Sequence, residues 1–231
     1  QSLLPTLNMR LSNPSVLIDI GKIKELREIK IEDGFLSIGA MSSHSKVMNN
    51  KDVNKVLPIL NKILSQVAHP AIRNKGTHGG SVAYGDPAAE LPAFAVLVDA
   101  QIVLSGSSGE RIVSAKEFYK GLFETSINPD EILTSVKYPI NQNNKQLFFD
   151  EITRRHGDYA MAGLVGSIKQ KSNINEEINL VFFGTGDKPN EAPKTCEYLL
   201  NNEYNYTNIK DILKTDIEFA SDISSSSDMK A

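Results

Sequence analysis

Ala68-His69-Pro70-Ala71-Ile72-Arg73-Asn74-Lys75-Gly76-Thr77-His78-Gly79-Gly80-Ser81 is the stretch around which this chain is organised. It is dense in turn-forming residues and lies between an amphipathic segment and an apolar one. Glycine permits a positive φ and close approach of the main chain to a ligand, and successive N–H groups in such a turn can converge on an anion. With the hydroxyls of Thr77 and Ser81 at its rim, the stretch predicts a cradle for a diphosphate. An ordinary glycine turn is the alternative.

Two standard nucleotide motifs are missing from the sequence. No lysine follows the glycines as in a P-loop, and no G-x-G-x-x-G opens a helix after a strand. A nucleotide bound here therefore requires a different fold.

The composition excludes several classes of protein. The 231 residues carry a net charge of -3, which gives no basic field for nucleic acid. No run of about eighteen apolar residues occurs, so we expect a soluble chain that does not span a membrane. Cys196 is the single cysteine, which excludes an internal disulfide or a cysteine-ligated iron–sulphur cluster in this chain and fits a reducing compartment such as the cytoplasm.

The order of the predicted elements indicates an α+β protein. Helical spacing of apolar residues predicts one helix of about four turns over residues 53–67, and Asp86 with Pro87 predicts the start of another. Asn141 to Asn144 form a polar break, where we expect a domain boundary. The remaining expected elements are strands at 16–20, 35–40, 102–104, 111–113, 131–138, 148–153, 160–169 and 178–183, and helices at 43–47, 115–121, 192–200 and 208–220.

Side-chain chemistry points to a bound cofactor. The histidines are scattered without metal-ligand spacing, and no nucleophile motif exists, so we predict neither a metal site nor a catalytic side chain. Glu90 could accept hydrogen bonds from sugar or polyol hydroxyls. Tyr159, on a turn after Arg154-Arg155, could face a flat ligand, although a solvated turn is the plainer interpretation. Such a chain can carry out redox chemistry only through a cofactor that it binds and orients.

Four segments together resemble the FAD-binding subunits of molybdenum hydroxylases, such as the medium subunit of aerobic carbon monoxide dehydrogenase and the FAD-binding subunit of xanthine dehydrogenase. Q-S-L-L-P at 1–5 is similar to the family's first flavin loop, and I-R-N-K-G-T-H-G-G-S at 72–81 to its second. D-P-A-A-E-L-P at 86–92 and G-D-Y-A at 157–160 follow in the family's order. The A-G-G that usually precedes the first loop is not in this sequence, so the resemblance predicts a fragment trimmed at both ends.

The resemblance implies a fold, a cofactor and partners. The fold is an FAD-binding domain of the PCMH (vanillyl-alcohol-oxidase-like) type with two α/β lobes at 1–140, and a C-terminal domain of antiparallel sheet and helices at 146–231. Partner subunits would carry two [2Fe–2S] clusters and a molybdopterin cofactor, in a cytoplasmic dimer of heterotrimers, with the inner face of the membrane as an alternative location. FAD would pass electrons from the clusters to an external acceptor. The residues implied to contact FAD are Gln1, Ser2, Leu3, Leu4, Thr77, His78, Gly79, Gly80, Ser81, Glu90, Leu133 and Tyr159.

The sequence also departs from the family pattern. Ser81 replaces the usual Asn, Glu90 replaces the commoner Asp, and Asp150 stands where xanthine-oxidising relatives carry a lysine. Two other functions stay open from the residues alone: a self-sufficient flavin oxidoreductase of the same fold, and a flavin-free structural subunit. The sequence does not indicate the substrate or the final electron acceptor.

Overall fold

The computed structural model describes residues 1–141, 144–172, 174–222 and 225–231. Its helices are α1 (Leu3–Asn8), α2 (His44–Met48), α3 (Lys51–Val56), α4 (Ile59–Gln66), α5 (Pro70–Arg73), α6 (His78–Tyr84), α7 (Glu90–Leu97), α8 (Ala115–Phe118), α9 (Pro193–Asn201), α10 (Tyr206–Asp216) and α11 (Ser227–Lys230). Its strands are β1 (Ile29–Glu32), β2 (Phe35–Gly39), β3 (Gln101–Gly106), β4 (Gly109–Ser114), β5 (Tyr119–Gly121), β6 (Glu124–Thr125), β7 (Ile132–Pro139), β8 (Lys145–Ile152), β9 (Ala162–Lys171), β10 (Ile174–Phe183) and β11 (Asn190–Glu191).

The first sheet is antiparallel, with the strand order β1-β2-β7-β3-β4. The register between β3 and β7 shifts between Val103 and Leu104. Because such a bulge adds one residue to a strand, Leu133 and Val136 both face the core despite their odd spacing. This sheet forms the base on which the glycine-rich stretch rests.

The second sheet has the order β11-β10-β9-β8 and is also antiparallel. Its two faces differ in what covers them, as the two-residue period of a strand requires. Phe149 and Phe183 point into the same core as the first sheet, whereas Phe148 packs with the smaller cluster around Leu180 and Cys196. Helices α9 and α10 cover that outer face.

Helix α7 joins the two sheets. Seven of its eight residues are buried, and it packs against α4, α6 and α8 as well as β9 and β10. Phe94 reaches the ring of Tyr138 on β7, with centroids 5.6 Å apart. The two halves of the chain therefore share one hydrophobic core.

Several expected elements are confirmed, and others are wrong. The hairpin of β3 and β4, the short helix capped by the Ser43 hydroxyl, and the two C-terminal helices are present. Residues 16–20 do not form the expected strand. They have no regular secondary structure and are mostly exposed, with Ile18 82% exposed. Residues 1–5, which resemble a flavin loop, lie partly in helix α1. The helix expected over 115–121 ends at Phe118, and β5 begins at Tyr119.

Two further expectations about helix boundaries, both next to prolines, are wrong. The single helix expected over 53–67 is split into α3 and α4, because Pro58 disfavours helical geometry at Leu57, whose φ is -145° and ψ 61°. Asp86 and Pro87 do not begin α7, whose N-cap is Ala89. Instead the Asp86 carboxylate accepts a hydrogen bond from the Ala88 N–H at 2.9 Å and closes a turn before the helix. The domain boundary expected at 141–144 lies partly outside the described residues.

Candidate functional site

A cavity of about 730 Å³ opens between α1, α6, the start of α7 and the turn at 157–159. It brings together residues that are far apart in sequence, including both flavin-loop segments and the turn that carries Tyr159. The predicted site residues on its wall are Gln1, Ser2, Leu3, Thr77, Gly80, Ser81, Glu90 and Tyr159. These eight residues, from four separate stretches of the chain, therefore line one cavity.

Four predicted contact residues lie elsewhere. His78, Gly79 and Leu133 are buried behind the wall. Leu4 is on α1 and is 61% exposed. If they affect a ligand in the cavity, the three buried residues do so by supporting the residues that line it.

The glycine-rich stretch does not form the predicted cradle of free amides. Gly76, Gly79 and Gly80 all have φ outside the positive region. The N–H groups of His78 and Gly79 donate to Ser42 and Ala40 carbonyls at 2.9 and 3.0 Å. The Ser81 N–H donates to Thr77 O at 3.1 Å within the first turn of α6. These donors are used to fix α6 against the end of β2, so the expectation of bare, converging amides was wrong.

A side chain at each of the three glycines of this stretch would meet a different neighbour. A Cβ on Gly79 would lie 2.4 Å from Ala40 Cβ, so Gly79 permits α6 to approach β2. A Cβ on Gly76 would lie 2.9 Å from the ring of His44. Gly80, in contrast, is exposed on the cavity wall, and its Cβ would meet only the Thr77 hydroxyl, at 2.5 Å. Gly80 therefore leaves this part of the cavity wall without a side chain.

His44 is a residue of the cavity wall that the sequence did not single out. It is 4% exposed, and its backbone N–H donates to Gly76 O at 3.0 Å. Burial lowers the pKa of His44 to about 4, and its Nδ1 is buried without a hydrogen-bond partner. Behind it, His78 Nε2 and Tyr138 Oη are 2.7 Å apart, and burial lowers the pKa of His78 to about 3. Both imidazoles are therefore neutral at pH 7.

One end of the cavity is acidic. Glu90 is 8% exposed, and its burial raises the pKa of the carboxyl group to about 8, with a contribution from the nearby charge of Glu151. Burial also raises the pKa of Asp86. Tyr159 is 68% exposed at the cavity edge, where its ring is available to a flat ligand.

Arg73 has a structural role that its place in the motif did not indicate. Its Nη1 donates to the carbonyls of Ser65, Val67 and Ala68 at 3.2, 2.9 and 2.8 Å. These carbonyls, at the C-terminal end of α4, thereby gain the hydrogen-bond donor that the helix itself does not provide. Gly157 lies against the same segment with a φ of +85°, and a Cβ there would be 2.6 Å from Ala68 O. The turn that carries Tyr159 thus packs against the residues that follow α4.

The described ranges contain neither a metal-binding cluster nor a membrane-spanning helix. No group of three or more His, Cys, Asp or Glu residues within them could hold a metal ion. Over the same part of the chain, no helix has the length and apolar character needed to cross a membrane.

Comparisons with known proteins identify the class. The family described as the FAD binding domain in molybdopterin dehydrogenase matches residues 1–141, and the CO dehydrogenase flavoprotein C-terminal domain matches residues 148–231. The fold and its cavity thus define a flavin-binding subunit of an oxidoreductase. More particularly, the chain belongs to the family of FAD-carrying medium subunits of molybdenum hydroxylases.

Individual proteins with similar sequences carry names that are consistent with this family. The glyceraldehyde dehydrogenase medium chain of Sulfolobus acidocaldarius is 34% identical over 92% of this chain and 75% of the relative. Subunit alpha of the 6-hydroxypseudooxynicotine dehydrogenase complex of Paenarthrobacter nicotinovorans is 42% identical over 71% of this chain. This chain spans 55% of the length of that second relative.

Solved structures show the same fold. Quinoline 2-oxidoreductase from Pseudomonas putida 86 superposes with a TM-score of 0.92 at 34% identity, covering 99% of this chain and 81% of that one. Carbon monoxide dehydrogenase from Hydrogenophaga pseudoflava gives a TM-score of 0.92 at 29% identity, covering 99% and 80%. The predicted family, fold class, oxidoreductase class and FAD cofactor are confirmed.

Proposed function

We propose that this chain holds FAD in the cavity between α1, α6, α7 and the turn at 157–159, as the electron-transferring subunit of a larger enzyme. The observation that carries this proposal is the cavity itself, which unites Gln1, Thr77, Gly80 and Tyr159. Bound FAD supplies the redox chemistry, since it can exchange electrons both singly and in pairs. The residues of the chain then bind, orient and shield it.

The residues on the wall suggest how the cofactor is held. Gly80 admits the diphosphate region closely, and the hydroxyls of Thr77 and Ser81 lie beside it as donors. Tyr159 would offer its ring to the flat flavin group, and Glu90 would hydrogen-bond polar groups of the cofactor. Three buried residues support this wall from behind: His78, Gly79 and Leu133. We also propose that Leu4 on α1 contacts the cofactor.

The partners follow from the kind of enzyme in which the relatives occur. The relatives are named as medium chains or as subunits of dehydrogenase complexes, so this chain belongs to a multi-subunit enzyme. We propose a small subunit with two [2Fe–2S] clusters and a large subunit with molybdopterin, arranged as a dimer of heterotrimers in the cytoplasm. We also propose that the chain divides into units 1–140 and 146–231.

Replacing Gly80 with valine tests the cofactor site. The branched side chain projects into the cavity wall and displaces the Thr77 hydroxyl, so we expect FAD affinity to fall about tenfold or more. The measurement is the visible flavin absorbance of the purified chain, titrated with FAD, with circular dichroism to verify folding. Gly80→Ala adds a single carbon and is the matched control, for which a smaller loss is expected.

Two outcomes contradict the proposal. A folded Gly80→Val protein that retains stoichiometric FAD would show that the cofactor does not use this wall. A folded wild-type chain that takes up no FAD would instead favour a structural subunit, and turnover of an organic substrate by the chain alone would favour a self-sufficient flavin enzyme.

A further inference from the structure

His44, the first residue of α2, is a polar residue of the cavity wall to which the proposed function gives no role. Its side chain is buried, and it lines the same cavity as Gly76, Thr77 and Gly80. A polar group that is removed from water costs free energy unless it is hydrogen-bonded. A hydrogen-bond partner is therefore expected for the imidazole.

The backbone of His44 is fixed to the glycine-rich stretch. Its N–H donates to Gly76 O at 3.0 Å. The preceding residue, Ser43, pairs with Thr77 in an isolated antiparallel bridge. Two successive residues of the 43–44 segment are thus held against residues 76 and 77, which sets the position of His44 in the cavity wall.

The imidazole of His44 packs against the backbone of Gly76. A Cβ added to Gly76 would lie 2.9 Å from His44 Cδ2 and 3.1 Å from Nε2, so a side chain at position 76 would displace the ring. Nδ1 is buried and has no hydrogen-bond partner. No hydrogen bond among the described residues engages Nε2 either, but this nitrogen is not buried. Nε2 is therefore the ring nitrogen that a ligand in the cavity can reach.

The His44 imidazole is neutral at pH 7, because burial lowers its pKa to about 4 and the charge of Arg73 acts in the same direction. A neutral imidazole has one N–H donor and one bare nitrogen. Buried N–H groups without a partner are rare in proteins, so we expect the bare nitrogen at Nδ1 and the proton on Nε2. His44 then presents an N–H donor to the cavity.

We propose that His44 binds the cofactor through Nε2–H, which donates a hydrogen bond to an oxygen of the FAD diphosphate. This inference rests on the proposed function, which brings the diphosphate region close to Gly80 and the hydroxyls of Thr77 and Ser81. Three side-chain donors then serve the diphosphate: His44, Thr77 and Ser81. They replace the main-chain amides of α6, which are used to pack the helix against β2.

Replacing His44 with phenylalanine tests this hydrogen bond, because the change keeps a flat ring and removes both nitrogens. A hydrogen bond to a charged group contributes more than one between neutral groups. We therefore expect the affinity for FAD to fall about tenfold or more, measured by titration of the flavin absorbance. His44→Gln keeps an N–H donor at the end of its side chain and is expected to retain most of the affinity.

His156→Phe is the matched control, since it makes the same change at an exposed histidine that does not line the cavity. We expect it to bind FAD as the wild type does, and circular dichroism verifies the folding of every variant. A folded His44→Phe chain with wild-type affinity would overturn the inference. Equal losses in His44→Phe and His44→Gln would also overturn it, because they would show that His44 acts by packing alone.

Imidazole nitrogen NMR of the wild type gives a second measurement, which does not require His44→Phe to fold. The chain contains four histidines, and the ring signals of His44 are assigned through correlations with its own backbone. We expect the proton on Nε2 at pH 7, and we expect the Nε2 signal to shift when FAD is added.

The outcomes of this measurement separate the two proposals. FAD uptake that leaves the Nε2 signal of His44 unchanged refutes the role of His44 and leaves the proposed function standing. A folded wild-type chain that takes up no FAD refutes the proposed function, and the role of His44 with it.

Discussion

Gly79→Ala is expected to lower the melting temperature of the chain by roughly 6–12 °C, which corresponds to a loss of about 3 kcal/mol in the free energy of unfolding. The added carbon would lie 2.4 Å from Ala40 Cβ and 2.5 Å from Ala40 Cα. Because Ala40 is held to β7 by a hydrogen bond from its N–H to Thr134 O at 2.8 Å, it cannot move aside cheaply. The helix propensity gained by removing a glycine, about 1 kcal/mol, is too small to compensate. Thermal unfolding followed by circular dichroism measures the effect.

Gly80→Ala provides the matched control in the same turn of α6. Its added carbon meets only the Thr77 hydroxyl. The loss of that N-cap, about 1 kcal/mol, is offset by a similar gain in helix propensity. We therefore expect Gly80→Ala to unfold near the wild-type temperature. Equal melting temperatures for Gly79→Ala and Gly80→Ala would show that α6 does not depend on close contact with β2.

Truncating Phe149 to alanine is expected to cost about 3–5 kcal/mol and to lower the melting temperature by roughly 10 °C or more. The ring is 3% exposed and stacks on Phe183, with centroids 6.1 Å apart and an interplanar angle of 14°. Its loss opens a void where the second sheet meets α4 and α7. Differential scanning calorimetry and limited proteolysis will show whether the two halves then unfold separately.

Phe148→Ala is the control for this change, because it removes the same side chain from the neighbouring position on the opposite face. Phe148 is half-buried and packs with the outer cluster that includes Leu180 and Cys196. Its truncation leaves the shared core intact, so we expect a smaller loss and a single unfolding transition. A larger destabilisation by Phe148→Ala than by Phe149→Ala would contradict a core that is continuous between the halves.

The sequence predicts elements well where the signal is local. Gly106 and Gly109 between two apolar runs define the hairpin of β3 and β4. The short helix expected over 43–47 is present as α2, with the Ser43 hydroxyl as its N-cap. Residues 16–20 have the composition of a buried strand, yet they form no regular secondary structure and are mostly exposed. A strand needs a partner, and no pattern within five residues can indicate whether one is present.

The sequence indicated residues that lie together around one cavity, but it did not indicate how the glycine-rich stretch packs. Motif resemblance brought Thr77, Glu90 and Tyr159 to one cavity. The role of Gly79, however, depends on Ala40, a residue far earlier in the chain, so composition alone could not distinguish packing from ligand contact.

The enclosure of α7 also bears on the motions of the molecule. Its amide hydrogens lie beneath both sheets, so water can reach them only when the common core opens as a whole. We expect the amides of residues 94–97 to exchange with deuterium among the slowest in the chain, and those of α10, which buries none of its residues, to exchange much sooner. Exchange of α7 at the pace of α10 would mean that the C-terminal half separates from the rest without global unfolding, which would expose one side of the proposed FAD cavity to solvent.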